Sequence, residues 1–209
     1  MPIIVSEKAG THFEPVSEGV HIATCVSLVD IGVQHNEMYG KDQKKVILTW
    51  EFPDDIIETE NGERPKTLSK EYTASLGEKA TLRGHLEAWR GKKFTSEELK
   101  GFDMKNILGT SCQIQVTHIS RNGNTYANVQ SIMALPKGTK VPPSMSQVEN
   151  GLTYFALDEP NCLEKMGDLP NWIQEKIRNS VTYQEMESSQ KDPISGDFGG
   201  YSDDEDLPF

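Results

Sequence analysis

The chain has 209 residues, 35% hydrophobic and 25% charged, and its 21 Lys and Arg against 32 Asp and Glu give a formal charge of −11. That length suits one domain with elaborations or two very small ones. No run approaches the ~18 apolar residues of a bilayer span, and the start MPIIVSEKAG lacks the basic and apolar regions of a secretory leader, so a soluble intracellular protein is expected. The cysteines Cys25, Cys112 and Cys162 are far apart and form no CxxC pair, which argues against a disulfide scaffold and against a zinc module.

Residues 1–15 read as an arm. Residues 19–31 (GVHIATCVSLVDI) alternate and are rich in Val and Ile, which predicts a long strand. Residues 32–45 form a polar loop with two glycines. Residues 46–52 (VILTWEF) predict a second strand with Val46, Leu48, Trp50 and Phe52 on one face. A loop over 53–65 leads to a third strand over 66–73. Residues 77–90 predict a helix whose Leu82, Leu86 and Trp89 share a face and which Gly91 ends. Thr95-Ser96-Glu97-Glu98 has capping-box chemistry and starts a short second helix. Two strands, 110–119 and 124–134, flank Ser120-Arg121-Asn122-Gly123, and Asn-Gly is a strong hairpin signal. Residues 137–150 are a Pro-rich connector, and 169–180 (LPNWIQEKIRNS) predict a last amphipathic helix carrying Trp172, Ile173 and Ile177. There is no internal repeat.

The expected fold class is therefore mainly β with a helical insert (α+β). Five strands with helices between the third and fourth follow the order of the OB-fold, a small, partly open Greek-key barrel, although other small barrels also have five strands. The division expected is an arm (1–15), an OB-fold body (16–150), an extension with a helix (151–185) and a disordered acidic tail (186–209). From Ser188 onward six acids stand against one base, in a stretch too rich in Ser, Gly, Pro and Asp to offset its ordering entropy by apolar burial.

The most specific feature is the end itself: Asp203, Asp204, Glu205 and Asp206, then Leu207, Pro208 and Phe209. A solvated acidic tail needs no apolar residue, Pro and Phe after its acids. As a peptide ligand the segment makes sense: the Phe ring enters an apolar pocket, its carboxylate meets a base, and the acids ride on a basic ridge. Pro208 restricts the backbone and lowers the entropy lost on binding. The same acids can also compete with nucleic-acid phosphates for the protein's own basic groove.

This ending resembles the C-terminal tip of bacterial single-stranded DNA-binding proteins. A second resemblance rests on Ser75-Leu76, Leu82-Arg83, Trp89-Arg90-Gly91, Phe94-Thr95, Glu98-Leu99, Phe102-Asp103, Leu108-Gly109 and the later Tyr126-Ala127-Asn128-Val129. Across about residues 16–180 the chain is similar to bacteriophage OB-fold proteins that bind single-stranded DNA. The resemblance implies a non-enzymatic role in phage DNA replication, recombination or repair. It supplies no list of contact residues.

Those must come from side chains, since a single-strand binder needs cations for phosphates and aromatics for bases. Lys79, Arg83 and Arg90 lie near one stripe of the predicted helix, with Lys92 and Lys93 just after it; an ordinary solvated helix face is the plain alternative. Lys41, Lys44 and Lys45 in the first long loop, and Arg121 on the hairpin, stand where OB-folds flank their binding face. Trp50, Phe52 and Trp89 read as core, and Phe94 as a staple for the second helix. Tyr126, alternating with Asn128 and Gln130, is the best stacking candidate. Tyr72 shares a face with Lys70, which suits a groove, and with Leu68, which suits a core. Tyr39 sits in the first loop.

Catalytic patterns are poor. The histidines form no HExxH, and neither GxSxG nor a P-loop occurs. Asp54 with Glu98 and Lys100 imitates a Mg²⁺ nuclease layout, but such short triplets recur by chance. The reading is a cofactor-free, non-enzymatic single-strand binder in the cytoplasm of an infected bacterial host. Its tip would recruit a polymerase, helicase, primase or recombinase, and self-association is open. The alternative is an adaptor or inhibitor that mimics a host tail and binds no DNA.

Overall fold

The computed structural model describes residues 14–37, 40–60, 62–149 and 151–191. Five strands carry it: β1 (Gly19–Asn36), β2 (Lys41–Thr59), β3 (Gly62–Thr73), β4 (Ser111–Arg121) and β5 (Asn124–Met133). They pair antiparallel along the path β3-β2-β1-β4-β5, and a short β6 (Thr153–Phe155) joins β1 in parallel. The sixth strand has no counterpart in the sequence reading.

β1 is shared between two halves of the sheet. Gly19–Thr24 pairs with β4, and Thr24–Asn36 pairs with β2, so Thr24 faces both Ser111 and Glu51. Register shifts between Cys25 and Ser27 and between Asp30 and Val33 bend the strand, as bulges do at the corners of a barrel. The sheet curls until β3 approaches β5. There Lys70 Nζ donates to the Val129 carbonyl at 2.7 Å, which leaves a nearly closed five-stranded antiparallel barrel.

The alternation of β2 divides the apolar side chains between two cores. Val46, Leu48, Trp50 and Phe52 point into the barrel, with Ile114, Val116 and Ile132 opposite. Ile47, on the other face, joins Val29, Ile31, Phe155, Leu169, Ile173 and Ile177 in a second core under the C-terminal segment. That segment contains α3 (Met145–Val148), α4 (Cys162–Lys165), α5 (Asn171–Arg178) and α6 (Val181–Lys191). Glu51 fixes its first part: this carboxylate, only 3% exposed, accepts from Met145 N at 2.7 Å and Ser146 N at 3.2 Å at the start of α3.

Between β3 and β4 lie α1 (Thr81–Arg90), α2 (Ser96–Lys100) and a 3₁₀ turn (Met104–Ile107). α1 buries Leu82, Leu86 and Trp89 and spans the barrel end, from Tyr72 of β3, whose hydroxyl meets His85 Nδ1, to Ala134 N, which donates to Ala88 O. Gly91 ends it at φ 64°, in the left-handed region that glycine adopts without strain. Thr95 caps α2 as expected, its Oγ1 accepting from Glu98 N at 3.2 Å while Glu98 Oε2 accepts from Thr95 N at 2.9 Å.

Four boundaries differ from the sequence reading. Residues 32–45 are not a loop: β1 and β2 continue as a ribbon with His35 paired to Asp42, their side chains 2.6 Å apart. Residues 53–65 likewise extend the β2–β3 ladder, and the register shift between Phe52 and Ile56 admits Pro53, which has no N–H to donate. α1 begins at Thr81 instead of residue 77, because Gly77–Ala80 closes a turn with Ala80 N on Gly77 O at 2.9 Å. α6 runs through Lys191, past the tail boundary set at 186; Ser180 starts it, its Oγ accepting from Tyr183 N at 3.1 Å.

Candidate nucleic-acid interface

Lys45, Lys70, Tyr72 and Lys79, singled out separately in the sequence, line one groove of about 630 Å³ between β3 and the start of α1. β3 brings Lys70 and Tyr72, β2 brings Lys45, and the turn before α1 brings Lys79. Lys70 makes no ion pair among the described residues. Its ammonium is held by the Val129 carbonyl and, at 3.4 Å, by Asn128 Oδ1. Burial pushes it below the usual lysine value, because no nearby carboxylate compensates the lost hydration. Lys79 is exposed and also has no ion pair among the described residues. α1 adds the positive end of its dipole: Ala80 offers no capping side chain, and the first turn holds no acid.

Lys45 is different. Its Nζ lies 2.7 Å from Glu71, which also takes Lys176 of α5 at 2.8 Å. Burial alone would raise the Glu71 carboxyl, but Lys176 and Lys45 more than offset it and hold it below its ordinary value.

Tyr72 corrects an expectation. Its ring is 3% exposed and packs edge-on against Trp50 and His85, with its hydroxyl 2.8 Å from His85 Nδ1. The inward phase shared with Leu68 decides its fate, so the ring is not open to a base. Burial, and then the Lys70 charge, lower the His85 imidazole below the usual histidine value.

At the hairpin, Arg121, Asn122, Tyr126 and Asn128 line a second recess of about 400 Å³. Asn122 and Gly123 turn the chain at φ 52° and 80°, both positive, the geometry of a two-residue turn matched to strand twist. This turn sets Ile119 opposite Tyr126. Tyr126 is 51% exposed, and Arg121 has no ion pair among the described residues. Asn128, which the sequence reading noted only as a neighbour of Tyr126, belongs to this recess and also receives Lys70, so the two recesses meet at that contact. No local pattern could show this, because the approach of β3 to β5 is a tertiary event.

The other candidates lie elsewhere. Lys44 and Lys45 are adjacent on a strand and so take opposite faces. Lys44 Nζ sits 2.9 Å from Asp30, and that hydrogen bond holds its ammonium above the usual value. It lines a third recess of about 240 Å³ beside Tyr154 and Asp158. Lys41 is exposed at the tip of the β1–β2 ribbon. Arg83 donates to Glu87 at 3.0 Å and to the Leu76 carbonyl. Arg90 pairs with Glu98, with its guanidinium 4.4 Å from the Phe94 ring centroid and 5.1 Å from that of Phe102. Lys92 is 3.7 Å from the same Glu98, and Lys93 is exposed beyond the helix. Arg83 and Arg90 thus brace α1 and α2 and are not free cations of one basic stripe. Tyr39 and the tip, Asp203 to Phe209, lie outside the described residues.

Among the described residues no three His, Cys, Asp or Glu side chains are grouped to hold a metal ion, and Glu98 is committed to the α2 cap and Arg90. No helix among them is long and apolar enough to cross a membrane. No family model and no curated protein matches the chain.

Proposed function

We propose that the protein binds single-stranded DNA with little sequence preference, using the groove of Lys45, Lys70 and Lys79 for phosphates and Tyr126 for a base. The observation that carries this reading is Lys70: a partly desolvated cation with no carboxylate partner, in a groove, 3.4 Å from the Asn128 that borders the Tyr126 recess. A phosphate supplies the charge that this ammonium lacks, and an exposed tyrosine stacks on any base. The strand path, with helices between β3 and β4, supports reading the barrel as an OB-fold, with β6 and the C-terminal helices as additions. In this reading the acidic tip recruits replication or recombination proteins in a phage-infected cell.

The test is fluorescence anisotropy of labelled oligo-dT, with duplex of equal length as control, at two salt concentrations. Tight single-strand binding that weakens with salt is expected. Affinity independent of salt refutes the lysine groove. Deleting 203–209 should leave DNA binding intact or tighter while abolishing partner binding. One observation favours the adaptor reading instead: Lys44, Lys45, Arg83 and Arg90 are each neutralised by a carboxylate of the same chain. Absence of binding to either DNA form would select it.

A further inference from the structure

We propose that two copies of the chain meet through the outer face of β1, β4 and β5. The outward side chains there run in rows, Ile22–Gln113–Met133 and Val20–Gln115–Ser131, set by the pairing of the three strands. An antiparallel sheet with one face on the core ordinarily turns polar, often charged, residues to water. This face does not. Four of the ten large hydrophobic side chains that the described residues leave exposed lie on it: Val20 at 57%, Tyr126 at 51%, and Ile119 and Met133 at 38% each. Its remaining rows are amides and hydroxyls, and a formal charge first appears at the hairpin end, with Arg121.

The absence of charge selects the occupant. A nucleic acid needs cations, which sit on the other side of the β5 edge around Lys70. The chain carries −11, so two copies repel wherever their charged surfaces approach. An uncharged face is where they touch without opposing like charges, as interface centres are depleted in charged residues. Gln113, Gln115 and Ser131 both donate and accept, so the face complements itself about a two-fold axis, as an isologous dimer requires. Salt screens the repulsion between copies, so self-association strengthens with salt while binding of single strands weakens.

The test is sedimentation equilibrium of the full chain over the micromolar range at two salt concentrations, with Val20→Glu and Ser131→Glu alongside. A dimer that tightens with salt is expected. Either substitution places two like charges across the axis and should weaken dimerisation at least about tenfold. Val20 is 57% exposed, so an unchanged melting temperature measured at low concentration shows that the variant still folds. A wild-type chain that stays monomeric, or a dimer untouched by both substitutions, overturns the proposal. So does loss of oligo-dT binding by Val20→Glu with no change in mass, since nucleic acid would then cover the face.

Discussion

Replacing Lys70 by Met separates its two roles. The substitution keeps the apolar stem and removes the ammonium that spans β3 and β5. The lost contact is one 2.7 Å hydrogen bond from a charged donor to the Val129 carbonyl, a bond worth about 1.5–3 kcal/mol before compensation. Removing a half-buried cation without a counter-charge works the other way. A net cost near 1 kcal/mol is expected, which lowers the melting temperature by about 2–4 °C in a chain of this size. For DNA, one fewer phosphate is neutralised, so affinity falls alike for all sequences and the slope of log K against log salt shrinks by about 0.7. Lys70→Arg keeps the charge and should keep the slope. The assay is oligo-dT anisotropy at four or more salt concentrations beside a melting curve for each variant. If the Met variant melts earlier but its salt slope and affinity match wild type, Lys70 is a strut of the barrel and not a phosphate contact.

Tyr126→Ala should weaken oligo-dT binding by about 1–3 kcal/mol, the value of one stacked base, with urea stability within about 0.5 kcal/mol because the ring is largely exposed. Glu51→Gln removes the charge that accepts from Met145 N and Ser146 N; a loss of about 1–3 kcal/mol in urea unfolding is expected, with faster proteolysis within 135–150, and an unchanged cleavage pattern would show that α3 docks without it. His85 should make stability pH-dependent. Its folded value is depressed, so the unfolded chain takes the proton first, and its stabilisation is present above the ordinary histidine value of about 6.5 and lost as pH falls through the lower folded value. His85→Gln should flatten that part of the urea-midpoint profile.

Where local chemistry decides the structure, the sequence was legible. The β2 alternation, the Thr95 capping box, the Gly91 stop and the Asn122-Gly123 hairpin each depend on residues a few positions apart, and each stands as read. The ribbons at 32–45 and 53–65 were not legible, because they have solvent on both sides and therefore no apolar period to mark them. α6 was missed for the same reason: its residues are polar, and it is anchored by side chains from afar, with Val33 N donating to Thr182 Oγ1 at 2.9 Å. Trp172 illustrates the limit of helical spacing, since α5 buries Ile173 and Ile177 but leaves Trp172 46% exposed. Among the site residues, exposed Lys79, Arg121 and Tyr126 sit as expected for contacts. Tyr72 and Arg90 do not, because burial against Trp50 and pairing with Glu98 arise only in the folded chain.

A chain of −11 that binds a polyanion requires its charge to be sorted in space. Net charge governs long-range encounter, but at 0.1 M salt fields fade over about 10 Å, so a bound strand responds to its immediate neighbours. The fold does this sorting with its own acids. Glu71 takes Lys45 and Lys176, Glu87 takes Arg83, Glu98 takes Arg90, and Asp30 takes Lys44. Each of these cations is largely spent on joining elements. Lys70, Lys79 and Arg121 remain without ion pairs among the described residues, and they flank the contact between the groove and the Tyr126 recess. A duplex is a rigid rod and cannot bend from a groove beside α1 to a recess on the hairpin without facing the acids on either side. A single strand is flexible enough to lay phosphates in one and a base in the other. Preference for single strands thus follows from where the unpaired cations lie, and the acidity of the rest of the surface sharpens it.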